Sequence, residues 1–277
     1  MLAAKHYENF PVASWLCPSH LRAPIAAIYQ FARTADDLAD EGEASPQERL
    51  DDLAAMRADL ACASRGERHS DRWPAVFDAL SPVLAQFKLP VTLLTDLLGA
   101  FEQDIAKTRD HAGYRNHAEL LDYCSRSANP IGRLLLHLYS VNDETSLSLS
   151  DHICSSLQLI NFWQDLGGDL ARGRYYLPED ECARFQVTPI DLRSAKPSLP
   201  VLSLIAAQVN RAKTMMLVGA PLAKRVPGRA GWELRMVVQG GLRIIEKMER
   251  LKFDTLSSRP KITALDVPLM FWRALWM

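Results

Sequence analysis

What this chain lacks narrows what it can do. No window approaches the roughly 20 consecutive apolar residues of a membrane-spanning helix, although hydrophobic residues make up 48% of its 277 positions. No G-x-G-x-x-G turn follows a strand pattern, and there is no phosphate-binding loop of the G-x-x-x-x-G-K-[ST] kind. That argues against a dinucleotide-binding module, and NAD(P)H is not an expected cofactor. The five cysteines (Cys17, Cys62, Cys124, Cys154 and Cys182) are few and odd in number, without a C-x-x-C pair. That argues against a disulfide framework or a zinc site and for reduced thiols in a cytoplasmic setting. Charge of one sign is also missing: 32 basic and 33 acidic residues leave a net charge of -1, so no electrostatic footprint for nucleic acid exists. The opening residues carry no apolar run of the secretory type. The expected location is cytoplasmic, with at most peripheral contact at the inner membrane. No alternating strand pattern and no fixed-period repeat occurs.

What is there is helical periodicity, almost without interruption. Ile25, Ile28, Tyr29, Ala32, Ala35 and Leu38 recur at helical spacing and predict a helix over 18–41. Ser45-Pro46 opens the next one, to about 63, with proline near its first turn. Further helices are expected over 73–87, 91–107, 116–138, 147–170, 201–222 and 231–252, with an irregular link at 179–197. Asn129-Pro130 falls inside the 116–138 stretch, where proline removes an intrahelical bond, so a kink or break is expected there. Asp104 and Asp110, near the end of the 91–107 helix, read as solvated surface charges. The expected architecture is all-α, one domain over 1–277, with a core at about 5–252 and a tail at 253–277.

Two stretches carry the chemistry. In 157–169, Gln158, Asn161, Asp165 and Asp169 share one helical face inside an otherwise apolar run. Carboxylates in apolar surroundings need a partner or a cation. Arg33, Asp36, Asp37 and Asp40 form a second acidic face on the first helix. Either stretch alone is ambiguous, since acidic turns at helix ends are common. Facing each other, they would make a carboxylate cage suited to Mg²⁺, which takes a few carboxylates plus waters and substrate phosphates. Arg33, Arg172 and Arg174 would add charge-assisted bonds to a diphosphate. Metal and arginine would then stabilise the leaving group as a carbon–oxygen bond breaks, over an apolar helical cavity that shields a carbocation from water.

Tyr29-x-x-x-Arg33-x-x-Asp36-Asp37-x-x-Asp40, Tyr123-Cys124 followed by Gly132, Gln158-x-x-Asn161-x-x-x-Asp165-x-x-x-Asp169 and Arg172-Gly173-Arg174-x-Tyr176-Leu177-Pro178 resemble the squalene/phytoene synthase family. The resemblance spans about 5–252, with the four motifs in the family's order. It implies an isoprenoid synthase helical bundle with a central cavity, and two aspartate-rich motifs that bind Mg²⁺ and an isoprenoid diphosphate. Glu8-Asn9-Phe10-Pro11-Val12-Ala13-Ser14 and 123–133, with Asn129-Pro130, are similar to the branch of bacterial hopanoid pathways that converts presqualene diphosphate to hydroxysqualene. On that resemblance Asp36, Asp37, Asp40, Asp165 and Asp169 are metal ligands for two or three Mg²⁺, and Asn161 serves the second metal site and the diphosphate. Arg33, Arg172 and Arg174 clamp the diphosphate, and Tyr123 and Gln158 face the cation or position water. Functional coupling is implied to an enzyme that makes presqualene diphosphate and to one that reduces hydroxysqualene.

The chain departs from the wider family in three places. It lacks the His-Ser-Lys type of N-terminal segment, has Asn129-Pro130 where a small-Gly pair is usual, and has no tyrosine around Leu242-Arg243-Ile244. The alternatives are a condensing synthase acting on farnesyl or geranylgeranyl diphosphate and, in another class, a non-catalytic helical scaffold. Phe271, Trp272, Leu275 and Trp276 either lie in a membrane interface or pack on the body.

Overall fold

The computed structural model describes residues 17–194, 196–226 and 228–277, so the segment from Glu8 to Ser14 lies outside the described residues. Among these, the secondary structure is helix alone. The helices are α1 (Ser19–Asp40), α2 (Pro46–Ser64), α3 (Pro74–Phe87), α4 (Val91–Arg109), α5 (His117–Ser127), α6 (Asn129–Leu138), α7 (Glu144–Gln164), α8 (Leu166–Ala171), α9 (Glu179–Arg184), α10 (Pro189–Leu192), α11 (Leu199–Gly219), α12 (Leu222–Arg225), α13 (Gly228–Arg250) and α14 (Val267–Leu275). A short 3₁₀ turn, Ala264–Asp266, precedes α14.

Local chemistry explains where the helices start. Ser45 and Glu48 form a capping box with Pro46 in the first turn of α2. The Asn116 and Asp143 side chains cap α5 and α7 by accepting amides of Glu119 and Ser146. The expected break at Asn129-Pro130 is present: α5 stops at Ser127 and α6 restarts with Pro130 in its first turn. Asn129 does not open the chain to solvent there. It is buried, and its Oδ1 accepts from Ser155 Oγ at 2.8 Å, tying α6 to α7.

Two expectations need correction. The link at 179–197 is not wholly irregular: Thr188 and Asp191 form a capping box that starts α10, and α9 precedes it. The helix expected over 147–170 begins earlier, at the Asp143 cap, and is interrupted at Asp165, where α7 ends and α8 begins.

The interior divides into two packed clusters. One is built mainly from α1–α4, with Leu134 and Leu138 of α6 reaching into it. The other gathers α5, α7, α11 and α13 around Leu159, Ile160, Trp163 and Ile205. Helix α7 is central, touching α5, α6, α11 and α13. Small residues suit its crowded position: Ser156 is buried and donates to the Ala212 carbonyl at 2.7 Å. After α13 the chain crosses the α7–α8 junction, and α14 then packs back on α13. The five cysteines are unpaired.

Candidate active site

The structure brings the two acidic faces to one region. Asp36, Asp37 and Asp40 occupy the last turn of α1. Asp165 caps the end of α7, and Asp169 lies in α8, its amide bonded to the Asp165 carbonyl at 2.9 Å. The residue between the two faces is Arg174. Its guanidinium pairs with Asp40, and its charge acts on Asp36, Asp104 and Asp169 as well. Gly173 makes this possible: at φ 77° it turns the chain through the left-handed region between the two arginines.

The polar stripe does not face a closed core. Asn161 is exposed, while Gln158, Asp165 and Asp169 are half-buried. They border open space at the end of α7, whereas Ile160, Phe162 and Trp163 carry the packing.

Burial and mutual repulsion make Asp36 and Asp169 reluctant to ionise. Burial, reinforced by the Asp40 charge, pushes Asp36 up to about 6. Burial pushes Asp169 up to about 7; Arg174 opposes this and Asp165 adds to it. Arginines supply the counter-charge. Arg33 holds Asp36 at 3.1 Å, Asp37 at 2.5 Å and Glu41 at 3.1 Å along its own helix. Arg259, from the segment after α13, grips Asp165, with Nη2 donating to Oδ2 at 2.7 Å. Arg172 is exposed, and its charge reaches Asp169 without a direct bond.

Behind the carboxylates lies an aromatic cluster. Tyr123 is buried, and its ring lies 5.7 Å from Tyr114, 6.1 Å from Phe162 and 6.4 Å from Tyr176. Phe162 and Tyr176 stack at 3.7 Å. The Tyr123 hydroxyl donates to Asp104 in a very short hydrogen bond. Asp104 is therefore no surface charge. Burial pushes it up to about 7 against the pull of the Tyr123 hydrogen bond, with Asp40 adding to the rise. Tyr123 itself is held well above the usual phenol range, by burial first and then by the Asp104 charge. Asp110, by contrast, is exposed as expected. Beside Asp104, Tyr114, Arg174 and Tyr176 a cavity of about 10 Å³ remains, space for about one water.

Asp104 and Arg259 are the two members that motif reading missed. A signal for Asp104 existed. It falls seven and four residues along from the buried Leu97 and Ala100, on the inward stripe of α4. Arg259 had none, because its partner lies 94 residues away in sequence.

The donor set is one of hard oxygens, which suits Mg²⁺. Among the described residues no three His, Cys, Asp or Glu side chains converge closely enough to hold an ion alone. That fits an ion held by one or two carboxylates together with a substrate's phosphates better than an all-protein cage.

Comparison with known proteins identifies the family. The squalene/phytoene synthase family model matches residues 3–266. A hydroxysqualene synthase of Sinorhizobium fredii is 33% identical over 96% of this chain and 87% of its own length. That of Rhodopseudomonas palustris is also 33% identical, over 94% of this chain and 85% of its own. The crystal structure of a squalene synthase from Alicyclobacillus acidocaldarius superposes with a TM-score of 0.80 at 34% identity, covering 90% of each chain. The chain, with its two aspartate faces joined through Arg174, belongs to the squalene/phytoene synthase family.

Proposed function

We propose that the protein is a hydroxysqualene synthase, converting presqualene diphosphate and water to hydroxysqualene and diphosphate. The observation that carries the reading is the meeting of both acidic faces, through Arg174, beside a buried aromatic cluster with its own Asp104–Tyr123 pair. The two relatives named above, each 33% identical over more than nine tenths of this chain, carry that activity in their names.

Asp36, Asp40, Asp165 and Asp169 would hold Mg²⁺, with Asp37 and Asn161 as flanking donors. The metal, when bound, supplies positive charge to the diphosphate as it leaves. Arg33, Arg172 and Arg174 orient the diphosphate and share its charge. The carbon–oxygen bond breaks, both electrons stay with the diphosphate, and the cation rearranges beside the aromatic rings. Aromatic faces are electron-rich and stabilise a nearby cation. Tyr123, held by Asp104, and Gln158 orient the water whose oxygen forms the new bond. The proton released passes to a neighbouring base, and Asp104, poised near neutrality, is within reach through the Tyr123 hydroxyl. No hydride is required, so the reaction runs without NAD(P)H. The bond broken makes the enzyme a carbon–oxygen lyase rather than a condensing transferase.

The substrate must come from an enzyme that builds presqualene diphosphate, and the alcohol is consumed by a reductase. Both compounds carry long hydrocarbons, so contact with a membrane surface belongs to this reading. The test is incubation of purified protein with presqualene diphosphate and Mg²⁺, without reductant. Hydroxysqualene is the expected product. Squalene or phytoene formed from farnesyl or geranylgeranyl diphosphate would instead identify a condensing synthase, and no turnover of any diphosphate would favour a scaffold.

A further inference from the structure

Three of the chain's six tryptophans meet on one surface. Helix α14 buries Met270 and Ala274 against the body, yet Phe271, Trp272, Leu275 and Trp276 are 54%, 58%, 43% and 76% exposed. Trp232 of α13 extends the patch. Its ring stacks on Phe271 at 6.4 Å, and Trp272 meets Trp276 edge to face at 5.8 Å. Single exposed apolar side chains need no explanation, but a contiguous aromatic patch does.

This surface is not a loose end. Asp266, buried at the start of α14, accepts from Arg243 Nε at 2.8 Å and pairs with Lys247. Arg273 pairs with Glu246, and Arg235 donates to the Ala274 carbonyl at 3.1 Å. The aromatic face is thus presented rigidly.

Charge around the patch is mainly basic, although Glu233 stands next to Trp232 in sequence and Glu246 pairs with Arg273. From residue 255 to the C-terminus the only acid is Asp266, which is 3% exposed and paired, whereas Arg259, Lys261 and Arg273 are basic. Arg235 lies over the Trp232 ring at 4.8 Å, and the exposed Arg229 is one turn earlier on α13. Tryptophan beside arginine and lysine is the composition that settles at the headgroup level of a bilayer, the bases meeting anionic lipid. The nine residues of α14 span about 14 Å, under half of a bilayer's hydrocarbon core. The helix is built to lie on a membrane, not to cross one.

We propose that the outward face of α14, together with Trp232, docks the protein on an anionic lipid bilayer. The occupant is a membrane rather than a second copy because the flanking charge is basic in excess, which an anionic bilayer complements and a second copy of the same face repels. The same segment also reaches the candidate active site. Seven residues before Asp266, Arg259 holds Asp165. The Pro260 carbonyl accepts from the buried Gln164 at 2.6 Å, and Leu256 lies so close to Gly167 that a Cβ there would come within 2.3 Å of its carbonyl oxygen. The docking face and the second acidic face are held by one strap, which sets the site at the membrane where a long hydrocarbon would arrive. That last link rests on the function proposed above. The docking itself is tested without substrate, so the two fail separately.

The experiment is sedimentation of the purified full chain with vesicles of phosphatidylcholine plus phosphatidylglycerol, and with phosphatidylcholine alone. Binding is expected to the mixed vesicles and to be several-fold weaker to the neutral ones. The combined Phe271→Ser, Trp272→Ser and Trp276→Ser variant should bind the mixed vesicles about tenfold less tightly or worse, with turnover of detergent-dispersed substrate unchanged. Quenching of the wild-type tryptophan fluorescence by brominated lipid gives a readout that needs no variant. The proposal is overturned if the wild type neither sediments nor is quenched, or if a folded triple variant binds as well as the wild type. It is equally overturned if light scattering shows a wild-type dimer that the triple variant turns into a monomer.

Discussion

The two acidic faces carry the same chemistry on different supports. The first is the end of one unbroken helix, and its own Arg33, a turn away, neutralises Asp36 and Asp37. The second straddles a helix break, and Asp165 takes its arginine from a strap 94 residues on. The first is therefore locally self-sufficient, while the second is assembled only when the C-terminal segment is in place. Arg174 belongs to both, through its pairing with Asp40 and its charge on Asp169.

The largest expected effect tests whether the faces are equal partners. Asp36→Asn and Asp169→Asn should each lower kcat by about 10³-fold, since on the proposed function each removes a charge that would hold the metal ion beside the departing diphosphate. Steady-state turnover with presqualene diphosphate measures this. A variant of one face that keeps near-normal turnover would reduce the site to a single-sided one.

The arginines should then separate the faces. Arg174→Ala removes a charge-assisted bond and exposes Asp36, Asp40 and Asp169 to one another, so a loss of roughly 10- to 100-fold is expected. Arg259→Ala touches only Asp165 and should cost less, with its main effect on KM. Equal losses in the two variants would break the distinction between shared and private arginines.

How much of this was legible follows from distance along the chain. Asp36 and Asp40, or Asp165 and Asp169, lie four apart, and the helix repeat alone places them together. The Asn129-Pro130 break was equally legible, because proline's missing donor acts locally. Asp104 was misread because its burial depends on α5 and on Tyr123 lying across it. The interruption at Asp165 and the grip of Arg259 depend on the strap, and no periodicity within α7 reveals a neighbour from the C-terminus. The tail showed its aromatics in sequence but not which of them packed, since Met270 and Ala274 turn inward only because α13 lies beneath.

A smaller effect probes what lies behind both faces. Asp104→Asn keeps the shape but removes the acceptor charge of the Tyr123 hydrogen bond, and a loss of about tenfold in kcat is expected with KM little changed. Combined with Tyr123→Phe it should be strongly non-additive, because both changes remove one interaction. Simple addition of the two losses would show that Asp104 acts apart from Tyr123.

The mildest probe is acid, and it should act on one face only. Burial alone would raise Asp266, but hydrogen bonds from Lys247, the Thr263 amide and Arg243 outweigh it and hold this carboxyl well below the usual range. A depressed folded-state pKa stabilises the fold above the unfolded value, about 4 for aspartate, and that contribution fades as pH falls below it. Protonation of Asp266 weakens its bonds to Arg243 and Lys247, which anchor α14 and the strap leading back to Arg259. Amide exchange over 255–277 should therefore speed up as the solution is taken below about pH 4, while the last turn of α1 stays protected. Asp266→Asn should show the faster exchange already at neutral pH and lose the acid dependence. If 255–277 and the end of α1 lose protection together, the two faces are not independently supported, and the contrast between them fails.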